Sequence, residues 1–289
     1  MSWMAVAEKD FRDAIRSRLL VVLTVLFAVF AAGAAYVVSE IDPPQQAALT
    51  GEVTTGLLIA GLVSATAVFI PIVAIAASYR SLAGERDSGS LKLLLSLPNS
   101  RRDIVAGKFV GRSAVVGVAL LVGFAVGLVV TAVLADAFSV LEYLVFVAVS
   151  LLFALVFVAI TVGVSAFTAS TSRAAYGAFG LFVVFQFLWG VLVQGLAYAL
   201  NGFSFPEGGE QFPEWIQNLA NFLFIVDPTT AYQQGTLWVV RLLDDSQEAQ
   251  ETMAELPFYA QDWFGFVIMV VWIAVPLAVG YLRFDAADL

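Results

Sequence analysis

Six stretches, residues 19–38, 57–79, 113–135, 143–167, 174–200 and 263–282, run for 20 to 27 residues without one Asp, Glu, Lys, Arg or His. A hydrocarbon core about 30 Å thick is crossed by roughly 20 apolar helical residues, so each stretch is long enough to span it. Backbone amides in lipid must be bonded within a helix or a closed barrel. A barrel shows ~10-residue strands of alternating polarity, and these continuous runs do not. The chain is 61% apolar and 13% charged, where soluble domains carry about 45–50% and about 25%. It reads as an all-α integral membrane protein with six transmembrane helices, one membrane domain over residues 1–289. The first stretch is read as a span. Ala31–Ala35 would suit a signal-peptide cleavage site, but the apolar run is long for one and its leader mixes acids with bases.

The basic residues give the orientation. Thirteen of the fourteen fall in segments 1–18, 80–112, 168–173 and 283–289, and only Arg241 lies in the opposite set, 39–56, 136–142 and 201–262. Both termini are therefore expected in the cytoplasm of the cell membrane. Fifteen of the 23 acids lie on the other side, an acid-rich outer face of the kind that high salt screens, hence a halophile expectation. With no Cys and no His, thiolate or imidazole metal sites, disulfides and histidine-based nucleophiles are excluded. A net charge of −9 disfavours nucleic acid as a partner. No catalytic, cofactor or metal residue is assigned.

Charge-free spans argue against proton-coupled carriers, voltage sensors and intramembrane proteases, which need ionisable groups at depth. Gln186 and Gln194, eight apart, fall near one helix face and are candidates for a translocation path. Interhelical hydrogen bonding is the commoner use of such residues. Gly107/Gly111 and Gly123/Gly127 form GxxxG pairs that admit another helix closely, from this chain or a second subunit. Pro71 and Pro276 are expected to kink the second and sixth spans.

Outside the bilayer, Trp3, Ala7, Phe11, Ile15 and Leu19 recur at helical spacing with Lys9, Arg12, Arg16 and Arg18 between them. That pattern predicts an interfacial helix beneath the inner leaflet, in contact with membrane lipid. In segment 80–112, Leu91, Leu93, Leu94, Leu95 and Leu97 predict a short helix stopped by Pro98. Ser100 and Asp103 are spaced for the capping box of the next helix. A leucine knob framed by charges, too short to span, suits docking; packing on the chain's own spans is the other reading. In segment 201–262, Trp215, Ile216, Leu219, Phe222 and Leu223 form an apolar helical face broken at Asp227-Pro228, followed by a second short apolar run. Such pieces lie at the outer interface or re-enter partway.

Glu85, Arg86, Gly89, Ser90, Leu91, Leu94, Leu95, Pro98, Ser100, Arg101, Ile104, Gly107 and Lys108 resemble, in order and spacing, the loop between spans two and three of ABC-2 type transporter membrane subunits. The resemblance implies an N-terminal interfacial helix, six spans and short outer helices before the last one. It also implies a cytoplasmic coupling helix over 85–98 that inserts into an ABC ATPase subunit. Glu85, Arg86, Asp87, Ser88, Gly89, Ser90, Leu91, Leu94, Leu95 and Pro98 are then the expected ATPase contacts. The stretch IVDPTTAYQ, 225–233, is similar to permeases of nitrous-oxide-reductase maturation clusters, from which Asp227 and Gln233 depart. The sequence holds no GxxxxGK[ST] loop, so ATP and Mg belong in the partner subunit. Six spans are half the usual complement, which implies a second permease subunit, most simply a homodimer. Export driven by that ATPase is the expected function, and a membrane scaffold or independent carrier is the rival. With four Met and no Cys or His, copper cargo gains little support.

Overall fold

The computed structural model describes residues 3–41, 53–91, 96, 100–206, 211–243, 261 and 263–287. Its elements are helices, apart from one bridge between Thr54 and Ala137. An interfacial helix α1 (Trp3–Ile15) turns at Ser17 into α2 (Arg18–Tyr36), which ends in a π turn, Val37–Ile41. Then come α3 (Thr55–Ser78), the short α4 (Ala83–Asp87), α5 (Arg101–Leu134) and α6 (Val140–Phe167). The fifth crossing is α7 (Thr171–Val183), a π turn at Val184–Leu188, and α8 (Trp189–Leu200). Helices α9 (Glu214–Val226) and α10 (Pro228–Leu243) precede α11 (Phe264–Asp285). Among the described residues six helices are long and apolar enough to cross a membrane, and they coincide with the six apolar stretches. Of the leucine knob, Leu93, Leu94, Leu95, Leu97 and Pro98 lie outside the described residues.

Polar punctuation sets the ends. Ser17, Thr54, Ser139 and Ser170 each cap the helix that follows. Ser100 and Asp103 form the expected capping box, with the Ser100 hydroxyl 2.5 Å from the Asp103 carboxylate. Gly89, just past α4, takes the left-handed φ of +75° that spares a Cβ clash.

Helix α6 is the centre of the bundle, packed by α3, α5, α10 and α11. Its approach to α11 is backbone to backbone: a Cβ on Gly280 would lie 2.7 Å from the Gly163 Cα, and one on Gly163 would strike the Pro276 carbonyl. Pro276 and Pro71 are both accommodated within continuous helices. The GxxxG stripe on α5 receives partners from this same chain. A Cβ on Gly107 would meet Val6 and the Trp3 carbonyl, one on Gly111 would meet Ala7 and Asp10, and one on Gly123 would enter the Phe27 ring. Gly127 faces Tyr143 and Ala31. The small residues thus seat α1 and α2. Phe27 fills the notch edge-on to Phe124, centroids 5.1 Å apart.

The buried face of α1 is rotated from the expected stripe. Val6, Ala7, Asp10 and Ala14 point to the bundle, while Trp3 is 42% exposed. Gly107 and Gly111 leave room only for small side chains at close range, so the large aromatic is displaced outward.

Helices α9 and α10 form a hairpin that re-enters the membrane. The Tyr232 hydroxyl is 2.9 Å from Thr66 Oγ1 and 2.8 Å from Ser150 Oγ. Those residues lie 11 and 10 positions inside α3 and α6, about 15 Å along each helix at about 1.5 Å per residue, near mid-bilayer. Trp272 Nε1 donates to the Val226 carbonyl at 2.8 Å and Trp189 Nε1 to that of Leu223 at 2.9 Å, which hold the end of α9 at similar depth. The tip is Asp227-Pro228. Asp227, 3% exposed, accepts from the Thr230 amide and hydroxyl at 2.9 Å, and Pro228 opens α10. The six spans carry no charge inside their apolar cores, as expected, but the hairpin brings a carboxyl group to membrane depth, which the reading by spans excluded.

Replacing Tyr232 with Phe removes the hydroxyl that joins α10 to α3 and α6. Polar contacts inside membranes average about 0.6 and reach about 1.7 kcal/mol, and two are lost at once, so about 1 kcal/mol of stability is expected to go. Denaturant unfolding of the detergent-solubilised chain measures it; an unchanged midpoint refutes the pin.

Candidate functional site: the charged turn after the second span

After Ser78 the chain leaves α3 through a turn held by one hydroxyl. Ser165, at the end of α6, accepts from the Leu82 and Ala83 amides at 3.1 and 2.9 Å and donates to the Tyr79 carbonyl at 2.9 Å. Helix α4 starts from this anchor. Each of its three charged residues then reaches a different neighbour.

Glu85 points inward. Its Oε1 lies 2.5 Å from Lys108 Nζ, which also donates to Asp10 Oδ1 at 2.7 Å. Arg112 completes the group, with Nε 2.8 Å from Asp10 Oδ2 and Nη1 donating to the Ala77 carbonyl at 2.8 Å. The Lys108 and Asp10 side chains are 7% and 2% exposed. Two acids and two bases therefore neutralise each other out of water, the condition under which buried charges are tolerated. The cluster ties α1, α4 and α5 together. Glu85 and Lys108, the first and last residues of the recognised pattern, are partners in space.

Arg86 lies over the Phe284 ring, 4.9 Å from its centroid, and Arg101 reaches the same ring at 5.8 Å. Arg101 Nη1 also donates to the carbonyls of Phe284, Asp285 and Ala287 at 2.7, 2.7 and 2.9 Å. Helix ends leave such carbonyls without intrahelical donors, so Arg101 acts as the C-terminal cap of α11. Asp87 accepts from the Thr171 hydroxyl at 3.0 Å, at the first residue of α7. The five residues of α4 and the turn before them thus connect α1, α5, α6, α7 and α11.

The expected ATPase contacts divide accordingly. Asp87, Ser88, Gly89 and Ser90 are exposed, with the two serine hydroxyls 3.0 Å apart. Glu85 and Arg86 are half-buried and engaged within the chain. Leu91 is 2% exposed and belongs to the main core, so its side chain offers no outer surface in the chain by itself. Leu94, Leu95 and Pro98 lie outside the described residues. Gln186 sits half-buried in the π turn of the fifth crossing, whereas Gln194 is exposed on α8 beside Val191 and Leu192.

Asp10, Arg112, Ser165, Thr171 and Phe284 were not singled out by sequence. Asp10 carried a signal: at three and four positions from Ala7 and Ala14 it is an acid on the apolar side of an amphipathic helix. Ser165 and Phe284 carried none, since a Ser or Phe near a span end is ordinary.

Six crossing helices, an interfacial helix and a re-entrant hairpin define a multi-pass membrane protein whose charged turn gathers four of its crossings. Residues 4–289 match the family described as ABC-2 family transporter protein, and the chain belongs to that family. It is 27% identical over 286 residues to the probable ABC transporter permease protein NosY of Stutzerimonas stutzeri, covering 96% of each chain. A protein of the same name from Pseudomonas aeruginosa is 27% identical over 237 residues, 79% of this chain and 78% of that one. The resemblance read from the loop is thereby borne out, and the chain is a permease subunit of an ABC transporter.

Proposed function

We propose that this permease, paired with a second copy, exports its cargo with force delivered by a separate cytoplasmic ABC ATPase at the charged turn. The observation that carries the reading is the convergence of α1, α5, α6, α7 and α11 on the segment from Tyr79 to Gly89. A push on that segment reaches them through hydrogen bonds, ion pairs and a ring contact rather than through a slack loop. Asp87, Ser88, Gly89 and Ser90, with Leu94 and Leu95 after them, present the docking surface, the polar groups setting register and the leucines supplying apolar area. The turn and both termini then face the cytoplasm, as the basic residues require. Cargo passes between the two copies along the exposed side of α8, where Gln194 is a polar group among apolar neighbours. ATP and Mg are held by the ATPase, and this chain performs no hydrolysis.

The test is co-purification from detergent with the cognate ABC ATPase, co-expressed with the permease. The wild-type chain is expected to retain it, and the doubly substituted Leu94→Asp, Leu95→Asp chain to lose at least tenfold. Equal retention by both would refute docking at this segment and favour a scaffold or an independent carrier.

A further inference from the structure

Where α1 turns into α2, a cavity of about 340 Å³ opens between that joint, the end of α3 and the stretch of α5 around Arg112 and Val115. Its volume falls within the range of about 300–1,000 Å³ found for small-molecule sites. The lining is graded. Asp13, Arg80 and Arg112 stand at the end nearest the face that bears both termini. Leu20, Leu23 and Val115 lie deeper, because α2 and α5 both run inward from that face. Polar at the interface and apolar below it, the cavity has the same order as a lipid headgroup above its chain.

The two arginines differ in what they have left to bind. Arg112 is committed to Asp10 and the Ala77 carbonyl. The Arg80 guanidinium has no hydrogen-bond or ion-pair partner among the described residues. An arginine fork matches phosphate oxygens in pairs. Asp13 at the rim sets a limit on negative charge, so the lining suits one phosphate rather than a multiply charged headgroup.

We propose that this cavity binds one phospholipid of the adjoining leaflet, its phosphate on Arg80 and the head of an acyl chain against Leu20, Leu23 and Val115. The lipid fills the space under the α1–α2 joint, next to the last turn of α1 at Asp13 and Ala14. The site involves no ATPase contact, so it stands or falls independently of the docking surface.

The test uses the purified full chain after extensive detergent washing. Native mass spectrometry is expected to find one retained phospholipid per wild-type chain, and a reduced but measurable occupancy in Arg80→Lys, which keeps the charge and loses the fork. Occupancy is expected to fall at least tenfold in Arg80→Ala, a substitution of an exposed side chain that should leave the unfolding midpoint in place. As a second measurement, phosphatidylglycerol with a photoreactive acyl chain, supplied in vesicles, should label peptides containing residues 20–23 or 115. Equal retention by wild type and Arg80→Ala would make the lipid annular and overturn the site. Labelling abolished by inorganic phosphate alone would assign the cavity to a soluble anion, and preferential retention of cardiolipin would refute the single-phosphate fit.

Discussion

Replacing Lys108 with Met is expected to destabilise the chain by about 3 kcal/mol, because removal of one member of a buried ionic group leaves the others desolvated and uncompensated. Glu85 loses its cation outright, while Asp10 keeps Arg112. The loss belongs at the lower end of the usual range for that reason. Thermal unfolding of the full chain in detergent measures it as a drop of several degrees. The pairing makes a sharper forecast: adding Glu85→Gln to Lys108→Met should recover part of the loss, since the orphaned carboxylate is then neutral. If the double variant is less stable than the single one by the full cost of Glu85→Gln alone, the two residues are not coupled. The same substitution should loosen α1, whose only buried charge is Asp10, and limited proteolysis near residue 16 would report it.

A second large effect is expected at the crossing of α6 and α11. Gly163→Ala places a methyl group against the Pro276 carbonyl, with the carbonyl carbon 2.9 Å away. The obstacle is backbone, which cannot rotate aside as a flexible side chain would. Overpacking of this kind costs about 1–3 kcal/mol, and the upper end is expected here. Gly280→Ala offends the same contact from the other helix, so the two together should cost little more than either. Gly180→Ala is the control. No atom stands within 4 Å of its added methyl, and an interior helical Gly→Ala change gains up to about 1 kcal/mol. Equal behaviour of Gly163→Ala and Gly180→Ala in denaturant unfolding would show that the close approach has no energetic weight.

Much of this architecture was legible from local chemistry. The spans follow from apolar length, and the start of α5 follows from Ser100 and Asp103, because a capping box is closed within four residues. The charged turn was legible as a place through its resemblance. Its inner wiring was not, since the partners are remote: Lys108 is 98 positions from Asp10 and 23 from Glu85, and Arg101 is 183 from the first of the three carbonyls it caps. Periodicity reports which side of a helix is apolar and says nothing of which helix will cover it. For that reason the α5 glycines could be read as an approach for any helix, and only the packing of Val6, Ala7 and Phe27 names α1 and α2. Re-entry of the α9–α10 pieces was one of two readings, and the choice between them could not be made for a related reason. Its apolar runs are too short to span, and the aromatic donors that hold it down, Trp189 and Trp272, are on crossings that precede and follow it.

The hairpin also gives the molecule unequal footprints. On the side away from the termini, two extra helical rods stand among six, and with helices about 10–12 Å across they add on the order of 200 Å² of cross-section to that half of the bilayer. A body wider in one leaflet than in the other sits with least distortion where the membrane already bends toward the narrower side. Bilayer curvature and lateral pressure therefore become mechanical loads on the same pair of helices that Tyr232 pins to the bundle.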